Sequence, residues 1–309
     1  MENNLTVSPP PHFKSAESTK NIMLDVIIAL IPASAASVIF FGYRSAILIV
    51  CCILCAVLSE YIFRKCMKKE ITAGDLSAVV TGLIFALNLP PSLPLWMAAP
   101  GSIIAIVVIK QLFGGIGRNF VNPAIGAKII LMLSFSGAMT AWDKPFSWIE
   151  RPFDIFASAP LGSNAATPSL FDMFIGNRGG NIGEICIPAL LLGGLYLVVR
   201  KIIQPTVPAV FIGTVFCLSL ISTRDLTAAL TLCMSGSVFF GAIFMATDYT
   251  TSPITTKGKL VFAFGCGIIT FVIRQIGILP EGVPFAIATM NISAPYIDKI
   301  FRKRRKSAF

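Results

Sequence analysis

The sequence predicts an all-α integral membrane protein: about ten transmembrane helices in two inverted five-helix repeats, with one long outer loop between them. Three observations carry this. The chain of 309 residues is 55% hydrophobic and only 13% charged, with a mean hydropathy of +0.80, where soluble domains carry about 25% charge. Its apolar residues gather in stretches near the roughly 20 residues that cross a hydrocarbon core. Its positive charges concentrate in alternate connections, as membrane topology requires. The net charge of +10 therefore belongs to topology, with no nucleic-acid partner implied, and a soluble hydrolase is excluded.

The elements follow in order. Residues 1–21 are polar and are expected to form a cytoplasmic N-terminal segment. Apolar segments fall at roughly 22–43, 45–63, 76–93, 95–113 and 121–138, making a first membrane repeat over 22–138. Residues 139–183 form the extracytoplasmic loop. The second repeat, 184–300, holds segments at roughly 184–200, 206–222, 226–247, 258–274 and 280–300, and 301–309 is a basic cytoplasmic tail. Several segments are short or carry Pro32, Pro123, Pro188 or Pro284; backbone groups freed by such breaks must be buried in protein or line a cavity. Arg64, Lys65, Lys68 and Lys69, then Lys110 and Arg118, Arg200 and Lys201, Lys257 and Lys259, and the tail cations fall on one side. That side is cytoplasmic. Both termini are thus expected inside, with only scattered charges such as Arg44, Lys144, Arg151, Arg178 and Arg224 outside. No small-residue cleavage site follows the first apolar run, so no cleaved signal peptide is expected.

The repeat rests on two echoes. "GLIFALNLPPSLP" from Gly82 matches "GAIFMATDYTTSP" from Gly241, and "NFVNPAIGAKI" near Asn119 matches "ATMNISAPYIDKI" near Ala288. An odd number of helices per copy inverts the second copy. Inverted repeats with broken helices hold ligand and ion sites near the midplane, at the repeat interface.

Four acidic residues lie within or beside apolar segments: Asp25, Glu60, Asp75 and Asp248. Asp25 and Asp75 sit near segment ends and read as interfacial. Asp248 stands at a helix break beside Thr247, Thr250, Thr251 and Ser252. A carboxylate with hydroxyl and carbonyl oxygens there suits a hard cation or a proton relay; a capped helix end is the plainer alternative. Glu60 is one turn from Arg64, which predicts an ordinary salt bridge, with an ion-path role second to Asp248. "GGIGRNFVNPA", residues 114–124, carries Gly115, Arg118, Asn119 and Asn122 and opens a helix. Free N–H groups and an arginine suit a phosphate or an electron-rich ring edge, although the stretch lacks the Gly-Lys-Ser/Thr of a P-loop and also reads as a tight turn. Cys51, Cys52 and Cys55 have no histidine nearby and read as small packing residues rather than metal ligands. His12 is the single histidine, too isolated for a metal site or a catalytic triad. The outer loop is rich in Gly, Ser and Asn, the wrong composition for a packed domain.

Five stretches together give the chain a resemblance: "VSPPPHFKSAESTKNIMLDVIIALIPA", "GDLSAVVTGLIFALNLP", "FGGIGRNFVNPA", "PSLFDMFIGNRGGNIGE" and "FMATDYTTSPIT". It resembles the RnfD family, the D subunits of Rnf ion-translocating electron transport complexes, themselves similar to the B subunit of the sodium-pumping NADH:quinone oxidoreductase. The resemblance covers nearly the whole chain. It implies a membrane subunit that relays electrons through flavin between ferredoxin and NAD while the complex moves Na⁺ or H⁺ across a bacterial inner membrane. Ferredoxin, NADH and iron–sulfur chemistry would belong to partner subunits. It also implies an FMN joined through its phosphate to a threonine of the outer loop, within Asp, two residues, Ser or Thr, Gly or Ser, Ala, Thr, usually followed by Pro-Leu. The chain offers Asp154, Ser158, Ala159, Pro160 and Leu161, without the acceptor threonine. Three arrangements remain open: Thr167 as acceptor, Ser158 as acceptor, or no covalent flavin, the last being the expectation and Thr167 the best covalent candidate. A second, noncovalent flavin (riboflavin or FMN) is implied within the helices, and Gly115, Arg118, Asn119 and Asn122 mark the place for it. The rival readings are a flavin-free inverted-repeat transporter or channel for a small solute, and a structural scaffold subunit.

Overall fold

The computed structural model describes residues 19–70, 73–147, 169–277 and 281–301. Every regular element among them is helical. Two long helices open the chain, α1 (Thr19–Phe41) and α2 (Tyr43–Cys66), joined by Gly42 alone. Gly42 has φ 73°, a conformation glycine adopts without a Cβ penalty. Ser45 Oγ donates across the turn to the carbonyls of Ser37 and Gly42. Arg64 and Lys65 close α2 in its last turn, complementing the helix dipole. Shorter pieces follow: α3 (Ser77–Leu87), α4 (Leu95–Ile104, continuing as a π-helix over Ala105–Gln111), α5 (Pro123–Ser134) and the single turn α6 (Ser136–Met139). After the loop come α7 (Leu170–Ile175), α8 (Ile187–Val199), α9 (Thr206–Thr223), α10 (Leu226–Met234), α11 (Val238–Phe240, continuing as a π-helix over Gly241–Met245), α12 (Thr256–Ile276) and α13 (Val283–Phe301).

Ten full spans were expected. Among the described residues four helices are long and apolar enough to cross a membrane, α1, α2, α9 and α12, and a fifth crossing arises if α10 and α11, bent by 62°, count as one. The reason lies in the breaks. α3 has 11 residues, about 16 Å of helix at 1.5 Å per residue, roughly half of a 30 Å hydrocarbon core. Its end is therefore enclosed by protein. Backbone partners are supplied at both breaks. Ile182 N donates to Leu89 O (3.0 Å) and Gly183 N to Leu87 O (2.8 Å), and Arg44 Nη2 donates to Ser92 O at 2.8 Å. Between α10 and α11, Arg274 donates to the carbonyls of Leu232 (2.6 Å) and Ser235 (2.9 Å). Three of the four prolines named above begin helices rather than interrupt them: Pro123, Pro188 and Pro284 sit in first turns, where no helical N–H is lost. Pro32 alone of that set lies inside a helix.

Small residues let the helices touch. A Cβ on Gly82 of α3 would fall 2.9 Å from Ala56 Cβ and 3.0 Å from Cys52 O of α2. Gly193 of α8 faces the Ala29 carbonyl of α1, and Gly267 of α12 faces Phe211 and Thr214 of α9. Without a hydrophobic drive between helices in lipid, such close approach supplies the packing energy. The interior is filled by Leu30, Leu48, Phe85, Phe211, Phe240 and Phe262, all buried, while Val50, Leu54, Leu58 and Ile62 of α2 point outward.

Part of the loop over 139–183 departs from the expectation of an unpacked segment. Met173, Asn181 and Ile182 are buried, and residues 182–183 bond to the α3 break. The candidates Asp154, Ser158 and Thr167 lie outside the described residues.

Candidate functional site

A cavity of about 90 Å³ opens between α3, the N-terminus of α5 and the end of the second π-helix. Asn119, Asn122, Thr247, Asp248 and Thr250 all line it, joined by Ile84, Lys110, Phe244 and Tyr249. Five of the residues singled out in the sequence thus meet at one place, from stretches more than a hundred residues apart.

Local rules build this meeting point. Asn122 caps α5: its Oδ1 accepts from Ala124 N (3.0 Å) and Ile125 N (3.4 Å), the arrangement preferred at an N-cap. Its Nδ2 is then free to donate to Asp248 Oδ2 at 3.1 Å. Asp248 Oδ1 accepts from Thr250 N (3.0 Å) and Oγ1 (2.9 Å), and Oδ2 from Thr251 Oγ1 (3.3 Å). With its amide oriented so that both groups are satisfied, Asn291 of α13 accepts from Asn122 N (3.2 Å) and donates to Thr251 O (3.3 Å). The hydroxyl cluster therefore serves Asp248 as donors, and Thr247 Oγ1 turns away to the Ile243 carbonyl at 2.5 Å.

The helix expected to open at the glycine stretch starts instead at Pro123, the preceding loop being too rich in left-handed residues. Gly114, Gly115 and Gly117 have φ of 111°, 94° and 82°. Gly115 and Arg118 do not line the cavity, and Arg118 is exposed, folded back on Gly114.

Glu60 keeps the predicted salt bridge with Arg64 and has richer company besides. It is fully buried. Lys110 Nζ stands 2.9 Å from Oε2, Gln111 Nε2 donates to Oε1 at 2.7 Å, and Arg64 Nε is at 3.7 Å. Lys110 also donates to Ser77 Oγ (2.6 Å), which donates to Asp75 Oδ1 (2.6 Å). Lys110, assigned to a cytoplasmic loop by its charge, is 2% exposed; the π-helical turn carries it inward onto Glu60. π-Bulges recur at functional sites. Asp25 is likewise more than interfacial. It accepts from Tyr196 Oη (2.7 Å) and Arg200 Nη2 (3.0 Å), tying the start of α1 to the end of α8.

A second buried network, which no local motif announces, gathers where the broken elements converge. Lys128 of α5 is fully buried, with Nζ 2.5 Å from Glu281 Oε2 and 3.4 Å from Asn88 Oδ1. Asn181 Nδ2 donates to Glu281 Oε1 (2.6 Å) and to Glu184 Oε2 (3.1 Å). Arg178, assigned to the outer aqueous side, is also buried and donates to the Glu184 carbonyl at 3.0 Å. One signal for it does stand in the sequence: Lys128 lies inside an apolar segment, where an ionisable residue is functional by default. A survey of the acids alone passes it by.

Fold and interior together define a multi-pass helical membrane protein that keeps charged networks at its helix breaks. Comparison with known proteins makes this specific. Residues 6–307 match the model of the NQR2, RnfD, RnfE family, and the chain belongs to that family. It is 41% identical to the D subunit of the Na⁺-translocating ferredoxin:NAD⁺ oxidoreductase complex of Acetobacterium woodii, over 98% of this chain and 95% of that protein. It is 39% identical to the D subunit of the proton-translocating ferredoxin:NAD⁺ oxidoreductase complex of Clostridium ljungdahlii, covering 96% and 95%. It is 34% identical to the D subunit of the ion-translocating oxidoreductase complex of Stutzerimonas stutzeri, covering 93% and 92%.

Proposed function

We propose that this chain is the D subunit of an ion-translocating ferredoxin:NAD⁺ oxidoreductase complex, incomplete without its partner subunits. The carrying observation is end-to-end likeness to proteins of that name. The subunit would sit in a bacterial cytoplasmic membrane with both termini inside, crossing ten times as two inverted repeats. Breaks in corresponding segments support the repeat: Asn88 ends α3 in the third segment of the first half, and Asp248 follows the π-helix that ends the third segment of the second.

Flavin is the cofactor this reading supplies: bound, it accepts electrons from one partner and passes them to another. The cavity beside α5 is our candidate for the noncovalent flavin. Its polar groups suit the edge of a heteroaromatic imide. Among the described residues Asn119 Oδ1 is buried without a hydrogen-bond partner and is available to an N–H donor, while Asn122 and Thr250 are held by Asp248. The lining offers contacts to a ring edge, and Ile116 of the glycine-rich 114–117 turn forms part of the wall. Gly115 belongs to that turn and Arg118 follows it. Asp248, with Thr247 and Thr250 beside it, remains our assignment for the ion path, and Glu60 the second member. Lys110 links them, since it lines the cavity and pairs with Glu60. Na⁺ and H⁺ are both compatible with this donor set.

The test is flavin content. The complex is co-expressed with its flavin transferase, and the subunit band is viewed under ultraviolet light on a denaturing gel, for wild type, Ser158→Ala and Thr167→Val. Fluorescence abolished by Thr167→Val or Ser158→Ala assigns the covalent acceptor. A dark band with flavin extractable from the native subunit leaves the noncovalent site alone. A subunit with no flavin of either kind rejects the relay and favours the flavin-free transporter.

A further inference from the structure

The flavin and ion-path assignments leave unused a recess at the end of α2 opposite Arg64 and Lys65. A cavity of about 360 Å³ there is walled by Arg44, Ile47, Leu93, Pro94, Leu95 and Trp96, from the first turns of α2 and α4 and the chain between α3 and α4. Ile47 also lines a second recess, a groove of about 480 Å³ down the outward face of α2, with Ala46, Val50, Cys51, Leu54 and Cys55. Through Ile47 the two are continuous. We propose that together they seat one phospholipid, its phosphate on Arg44 beside Trp96 and one acyl chain along α2.

The two ends differ as the ends of a lipid do. At the head, Arg44 Nη2 donates to Ser92 O at 2.8 Å, which fixes the guanidinium in the wall of the cavity. That group carries a positive charge and five N–H donors, the geometry best matched to a phosphate. Trp96 is exposed and stands edge-on to Phe135, ring centroids 5.8 Å apart. Indoles so placed sit at headgroup depth in membrane proteins and offer an N–H donor. Along the groove all six side chains are apolar. Cys51 and Cys55 are half-buried and form its floor, while the exposed Val50 and Leu54 form its rim.

Length selects the occupant. Eleven residues of helix lead from Arg44 to Cys55, about 16 Å at 1.5 Å per residue. That is one leaflet, half of a roughly 30 Å hydrocarbon core, and the depth reached by an acyl chain whose headgroup is held at the surface. A partner helix crossing the bilayer needs a seat over both leaflets. Here the groove stops at Cys55, whereas α2 runs on to Cys66 with Leu58 and Ile62 standing outward. The seat also bears on the fold: Arg44 holds the Ser92 carbonyl beyond the α3 break, so a phosphate on Arg44 braces that break from the membrane side.

The test is photocrosslinking of the full-length chain, alone and in its assembled complex, delipidated in detergent and given an equimolar phosphatidylglycerol with a diazirine in one acyl chain. Labelled peptides are mapped by mass spectrometry. Labelling is expected to concentrate on residues 46–55 over the exposed faces of α9 and α12, in the chain and in the complex alike. A diacylglycerol probe of the same chains, without the phosphate, should label that stretch about tenfold less, as loss of a charge-assisted contact implies. Arg44→Met should lower labelling by a similar factor and Arg44→Lys should keep most of it. Cys51→Trp fills the groove with Arg44 in place and should lower it too. Equal labelling of α2, α9 and α12 shows annular lipid only and overturns the proposal. Equal labelling by the two probes overturns it as well, and neither comparison needs a variant to fold. So does groove labelling unchanged in Arg44→Met or in Cys51→Trp. Labelling present in the chain but lost in the complex assigns the groove to a partner helix and also overturns it.

Discussion

Lys110→Met removes the ammonium beside Glu60 and keeps most of the apolar stem. Glu60 retains Gln111 Nε2 at 2.7 Å and Arg64 Nε at 3.7 Å. Breaking a buried pair from one side costs roughly 3–5 kcal/mol, and with these donors left the expected loss is about 3 kcal/mol. Glu60→Gln acts from the other side. Lys110, 2% exposed, keeps Ser77 Oγ at 2.6 Å as acceptor but no carboxylate in contact, so about 4–5 kcal/mol is expected. The double variant leaves neither charge behind, and replacing both partners of a buried pair is often near neutral; about 1–2 kcal/mol is expected. The coupling energy is then about 5–7 kcal/mol, above the roughly 3 kcal/mol upper end that contacting pairs show. The assay is denaturant unfolding of the purified chain in detergent, followed by helical circular dichroism for all four proteins. A double variant as unstable as the sum of the singles, or either single at wild-type stability, would refute a desolvated Glu60–Lys110 pair.

Three further outcomes are expected. Asn122→Ala loses the α5 cap and its Asp248 contact, costing about 0.5–2 kcal/mol; Asn122→Asp keeps a capping oxygen but faces Asp248 with like charge, so its deficit in the same unfolding assay should shrink on adding Asp248→Asn. Gly183→Ala drives a Cβ into Leu87 and should cost about 1–3 kcal/mol, whereas Gly213→Ala meets nothing within 4 Å in α9 and should gain about 0.5–1 kcal/mol. Hydrogen bonds from Ser169 Oγ and Asn177 Nδ2 hold the Asp172 carboxyl below its ordinary range. Its contribution at the start of α7 is therefore present above the ordinary carboxylate range and lost as pH falls through the lowered value; Ser169→Ala should move the Asp172 titration upward by NMR, and an unmoved titration would contradict the contact.

The helical membrane class was readable because desolvation acts on composition: a chain with 13% charge has nowhere to put its apolar segments but lipid. Asp248 and Asn122 were readable one at a time, as a carboxylate among hydroxyls and a polar residue of the glycine-rich stretch; the cap that Asn122 forms was seen only in the structure. That they touch was not readable, since 126 residues separate them and no local pattern encodes the contact. Topology rules even misdirected two cations. Charge counting places Lys110 and Arg178 in aqueous loops, because it asks how a segment inserts and not what waits inside. Only folding reveals that Glu60 and the Glu184 backbone carbonyl receive them.

Composition and local chemistry, legible residue by residue, set the membrane-spanning class and the break after α3; that Pro123, Pro188 and Pro284 start helices, and that the chain bends between α10 and α11, was decided by the fold. Which broken ends face one another was settled by long-range packing, which placed Lys128, Glu281, Asn181 and Glu184 in a single network. The physical reason is that a buried charge is stable only beside its partner, and that partner is chosen by packing across the whole chain.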